Sequence, residues 1–139
     1  MAWVIAATEE AQVETGTRTC LLLQIPRTEG LDVAHQIVDL AIANFGPIVR
    51  GIDLAGDEAG GPPEQFAEPF TQAFEAGLHI TVHAGEWVGP ESVFTALNYL
   101  HPTRIGHGVR AVENSDLIKY LKRQNIALEV CPTSNLHTG

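Results

Sequence analysis

His79-Ile80-Thr81-Val82-His83-Ala84-Gly85-Glu86 decides how the chain is read. An apolar run of strand length leads into an imidazole, a glycine and an acid, the pattern of a buried strand whose exit turn carries chemistry. The run Arg104-Ile105-Gly106-His107-Gly108 then ends in a second imidazole. Two imidazoles and an acid at successive strand ends suit hydrolytic metal chemistry.

Working outward, similar apolar runs begin near Cys20 (CLLLQI), Val49 (VRGIDLA) and Ala127 (ALEVC), so five strand-like segments recur at intervals of 23 to 30 residues. Helical patterns fill the gaps. Residues 31–45 carry Ala34, Ile37, Val38, Ala41, Ile42 and Phe45 on one stripe and stop at Gly46-Pro47. A second helix spaces Phe66, Phe70 and Phe74 four apart with Pro69 in its first turn, and it ends at Gly77. A third starts at Pro90 and buries Val93, Phe94, Ala96, Leu97 and Leu100. A fourth is capped near Asn114 or Ser115 and buries Leu117, Ile118 and Leu121. Strands alternating with crossovers of this size make a parallel sheet, either an open doubly wound one or part of an eight-stranded barrel. Polar residues gather where several successive strands end: Asp53, Asp57 and Glu58, then His83 and Glu86, then His107, then Ser134 and Asn135. That distribution favours a barrel rim over a single switch point, and no glycine-rich phosphate fingerprint argues for the open sheet. The fold class is therefore α/β, a partial (β/α)8 TIM-type barrel of about five parallel strands.

At 139 residues and 45% apolar content the chain suffices for one domain, taken as residues 1–139. A net charge of -9 disfavours nucleic acid and anionic membranes and leaves a small neutral or weakly basic molecule as the better partner. No apolar run approaches the roughly twenty residues of a membrane span, and Met1-Ala2-Trp3-Val4 lacks the basic start of a signal peptide, so the expected compartment is the cytoplasm. Cys20 and Cys131 lie in apolar runs and read as buried reduced thiols.

Residues 51–58 (GIDLAGDE), 81–86 (TVHAGE), 104–108 (RIGHG) and 129–135 (EVCPTSN) resemble four blocks of adenosine deaminases, in the same order. The closing Leu136-His137-Thr138-Gly139 looks more like the adenosine enzymes than their adenine or AMP relatives. The resemblance implies a zinc-containing barrel that hydrolyses adenosine to inosine and ammonia. It also implies a role for each matching residue. His83 matches the zinc-binding histidine at the end of the family's fifth strand, although a lone histidine at a strand end is more often a structural hydrogen-bonding group. Glu86 matches the donor of a proton to purine N1; the bland alternative is a helix-initiating acid, against which Gly85 allows a sharp turn back into the rim. His107 matches the histidine that orients and deprotonates the attacking water, and its flanking glycines suggest backbone cleared for a close approach. Gly56 matches the glycine whose amide bonds the purine. Asp53 reads as a group supporting the site from behind, Asp57 and Glu58 as solvated loop charges, and Ser134 and Asn135 as turn formers.

The family's zinc site also uses a His-x-His pair on its first strand and an aspartate on its last, followed by an aspartate that contacts the base. No residue here matches them: His35 falls in a helix, His79 at a strand entrance, His101 before Pro102 and His137 near the end. By resemblance the chain covers roughly strands three to seven of a barrel that needs about 250 residues or more. It is expected to be an internal piece of a deaminase whose remaining Zn2+ ligands lie outside it. Two other readings stand beside that one: a non-catalytic purine-binding or interaction fragment that can self-associate through open sheet edges, and a deaminase of adenine or another purine. With one matched ligand, the purified 139-residue chain should bind zinc weakly and release no ammonia from adenosine. Stoichiometric zinc by elemental analysis together with ammonia release would contradict this.

Overall fold

The five apolar runs are strands and the segments between them helices in the computed structural model, which describes residues 1–138. Gly139, the end of the stretch that points to the adenosine enzymes, lies outside the described residues. The order is α1 (Ala2–Thr15), β1 (Leu21–Pro26), α2 (Gly30–Ala43), β2 (Val49–Ala55), α3 (Ala67–Glu75), β3 (His79–Ala84), α4 (Pro90–Tyr99), β4 (Arg104–His107), α5 (Ser115–Gln124), β5 (Ala127–Glu129) and α6 (Pro132–Thr138). All neighbouring strands pair in parallel, and their order in the sheet is β1-β2-β3-β4-β5. A doubly wound sheet would reverse direction at a switch point, whereas this sequential order is that of a barrel wall. The partial barrel is thus the observed fold.

Strand alternation divides the sheet into two chemistries. Ile25, Ile52, Leu54, Ile80, Val82 and Ile105 are buried with Ala34, Val38, Phe70, Ala73, Val93, Ala96 and Leu117 from the helices. The intervening positions are mostly polar: Gln24 pairs with Asp53, Asp53 with Thr81, His83 with Gly106 and Gly106 with Glu129. One face of the sheet is therefore core, and the other offers a polar row across four strands. Among the described residues no helix is long and apolar enough to cross a membrane.

Local signals hold with a few corrections. Asn114 caps α5 by accepting the amides of Asp116 and Leu117, and the helix leaves through Asn125 in the left-handed region. Pro69 does sit in the first turn of α3. Phe66 and Phe70 are buried, but Phe74 is 53% exposed and stacks on His101, because the buried stripe runs through Phe66, Pro69, Phe70 and Ala73 and leaves Phe74 beside it. Ile118 is likewise exposed. Cys20 and Cys131 are exposed free thiols, not buried ones: Cys20 precedes β1 and Cys131 follows β5, beyond the part of the sheet that the helices cover.

The contrast along α3 is measurable. Phe70→Ala should destabilise the protein by about 3–5 kcal/mol through lost burial and a residual cavity, while Phe74→Ala should cost under about 1 kcal/mol as an exposed substitution. Chemical unfolding of the two variants checks this, and equal losses would contradict the assigned faces.

Candidate active site at the strand ends

His83 is the penultimate residue of β3, and register places it beside Gly106 of β4. A Cβ at position 106 would lie 2.8 Å from His83 Nδ1, so the missing side chain is what accommodates the ring. Nδ1 lies 3.0 Å from Asp53 Oδ1 on the neighbouring β2. A carboxylate there fixes the ring proton on Nδ1 and leaves Nε2 with its lone pair, as a metal-ligating histidine requires. This hydrogen bond raises the His83 pKa above its ordinary value; burial opposes the rise, and the charges of Asp53, Glu86 and Glu129 add to it. Asp53 thus occupies the supporting place expected of it.

The next histidine arrives by a different device. His107 ends β4 with φ +61°, a conformation that non-glycine residues avoid, and Gly108 follows it at φ +65°. Regular alternation would send His107 to the same face as Ile105; the left-handed backbone interrupts that alternation. Its ring lies 5.2 Å from that of His83 in an edge-on arrangement. His107 Nε2 is 3.4 Å from Glu86 Oε2, and Nδ1 is 3.0 Å from the side-chain amide of Asn135 in α6. The flanking glycines do clear space, and what approaches is protein: the His83 ring at Gly106, and Leu128 at Gly108.

Glu86 stands just beyond β3, after Gly85 at φ +66°. That left-handed turn, with no room for a Cβ against Val93, directs the chain back over the rim. Gly56 leaves β2 at φ +102°, and Asp57 then folds its own loop by accepting the amides of Ala59 and Gly60.

Glu58 corrects the sequence reading. It is 5% exposed rather than solvated. Its Oε1 accepts the amide of Gly85, and its Oε2 accepts those of Glu86, Trp87 and Val88 at 3.1, 2.9 and 3.1 Å. Burial alone would raise its pKa, but the nearby Ser92 hydroxyl and the amides of Trp87, Val88 and Gly85 outweigh it and hold the carboxyl below its ordinary value. Arg27, directly after β1, was also missed. Its buried guanidinium donates to the carbonyl oxygen of Gly61 and, at 2.6 Å, to that of His83. Asn135 bonds a histidine instead of nearby backbone, from a helix where a turn was expected. The usable sequence signal for Arg27 was its place after a strand, like the other rim residues. Glu58 offered none, because its partners are backbone amides 27 to 30 residues away.

The metal question has a partial answer. His83 fits as one ligand by virtue of its Asp53 bond, while among the described residues no group of three or more His, Cys, Asp or Glu side chains could hold a metal ion. Two clefts lie at the opposite ends of the strands, one of them lined by Cys20, Leu22, Arg50, His79, Thr81 and Arg104, among others, and a smaller one lies beside Glu58, Val88 and Ser92 behind the rim.

Sequential parallel strands with imidazoles and carboxylates at their carboxyl ends define a section of a (β/α)-barrel of the amidohydrolase type. An amidohydrolase from Burkholderia ambifaria with bound zinc matches at a TM-score of 0.92 and 32% identity, covering 99% of this chain and 38% of that one. The family model for adenosine deaminase matches residues 1–139, and the chain belongs to that family. An adenosine deaminase of Vibrio cholerae is 46% identical over 124 residues, covering 89% of this chain and 37% of that protein. An adenine deaminase of Chelativorans sp. is 42% identical over 127 residues, covering 91% and 39%. The chain therefore spans about two fifths of the length of these relatives.

Protonated His83 is the form that Asp53 stabilises, so in the metal-free protein the pair contributes stability fully below the ordinary histidine pKa of about 6.5. The contribution disappears as pH rises through the raised folded value. An NMR titration should show His83 above its ordinary pKa and Asp53→Asn lowering it. Identical titrations in the two proteins would contradict the pairing.

Proposed function

We propose that this chain carries the central part of a zinc-dependent purine deaminase site, with adenosine as the substrate and inosine and ammonia as the products. The observation that carries the reading is the meeting of His83, Glu86 and His107 at two successive strand ends, with Glu86 Oε2 3.4 Å from His107 Nε2. Bound zinc would supply a water activated for attack at neutral pH. His83 would offer Nε2 to the metal, its other nitrogen being engaged by Asp53. His107 would orient the water and accept its proton at Nε2. An Asn135 amide turned to present Oδ1, which is buried and lacks a partner, would keep the other ring proton on Nδ1. Glu86 would give a proton to N1 as water adds at C6, and the Gly56 amide would hold the base. Water supplies the oxygen gained at C6; one of its protons would pass by way of His107 to the amino group, which departs as ammonia, and the other would go to Glu86 as the C6–O bond becomes a carbonyl.

Adenine is the second reading, supported by the likeness to a relative of that name. The two substrates differ by the ribose, so relative kcat/KM for adenosine and adenine in the full-length protein separates them. In that protein Glu86→Gln should lower kcat by about 10²- to 10⁴-fold, the usual weight of a positioned acid, with zinc content unchanged. Near-normal turnover would overturn the assignment.

A further inference from the structure

We propose that Glu58 is a positioning residue for the reaction: its carboxylate gathers the amides of residues 85–88 and thereby sets where the Glu86 side chain points. The proposal rests on the reading of Glu86 as the proton donor. Four consecutive amides converge on one buried carboxylate that comes from a different strand end. These residues lie between the end of β3 and the start of α4 at Pro90. Buried backbone donors need partners, and here one side chain provides them for the whole turn. The turn that Glu58 holds includes Glu86 itself.

The geometry calls for an ionised group with two accepting oxygens. Both oxygens are used by these amides, and the buried Ser92 hydroxyl lies near the same carboxylate. The lowered Glu58 pKa keeps it charged near neutrality. A glutamine would keep one acceptor and turn an NH2 group against at least one amide N–H. Glu58 is itself held in place. Asp57 accepts the amides of Ala59 and Gly60, the Gly61 amide bonds the Asp57 carbonyl at 3.1 Å, and Arg27 ties Gly61 to the His83 carbonyl. A chain of contacts thus links the end of β1, the loop after β2 and the turn after β3. Displacing a reacting group by about 1 Å can cost on the order of 10²-fold in rate, so the turn matters to turnover more than to affinity.

A double-mutant cycle in the full-length, zinc-loaded protein tests this. Glu58→Gln should lower kcat for purine deamination by about 10- to 100-fold, with KM changed by less than about threefold and zinc retained. Glu58→Asp, which keeps the charge, should recover part of the loss and supplies the same cycle if the glutamine variant does not fold. In a Glu86→Gln background the Glu58 substitutions should cost less than about threefold, since the group they position is gone. Amide hydrogen exchange at residues 85–88 should accelerate in Glu58→Gln while β2 and β3 stay protected. Equal losses in both backgrounds, or unchanged exchange at 85–88, overturn the positioning role while leaving the functional reading intact. A wild-type protein inactive on every purine overturns the functional reading and this proposal with it, whatever the exchange shows.

Discussion

In the parallel register of β3 and β4, His83 pairs with Gly106 and Ala84 with His107, so one imidazole lies where the neighbouring strand has no side chain. Any residue with a Cβ at 106 would press on the ring and on its bond to Asp53. The second imidazole then reaches the same rim from a left-handed residue at the end of β4. Unfavourable backbone at His107 is tolerated because the strand before it is held by its pairing with β3 and the turn after it by hydrogen bonds, the amides of Gly108 and Arg110 donating to the carbonyls of Ala84 and Gly85. The two histidines and Glu86 thus depend on one strand pairing, and Asp53 joins them across the pairing of β2 with β3.

A second layer of order lies behind those side chains. Glu58 and Arg27 form hydrogen bonds to backbone, the first to amides and the second to carbonyls, and both are buried. Burying a charge is costly unless several hydrogen bonds compensate it, and here the compensation comes from turns that would otherwise leave polar groups unpaired. The loops after β1, β2 and β3 therefore support one another at the rim.

Much of this was legible in the chain. The five strands, their parallel arrangement and the rim positions of His83, Glu86, His107 and Gly56 follow from apolar runs and from what interrupts them. Periodicity served less well at Phe74 and Ile118, which share the spacing of buried neighbours yet sit on exposed surface. A stripe records which side of a helix is apolar but not where the sheet stops. The same limit misplaced Cys20 and Cys131, which lie just outside β1 and β5, the two edge strands of the sheet.

By itself the sequence determined the barrel section and the strand ends that bear its chemistry, because alternation and helical spacing are local properties of the chain. Only the tertiary structure decided the use of Glu58, Arg27 and Asn135. Their partners are the backbone of distant turns and the ring of His107, and backbone amides look alike at every position until folding aims them at something.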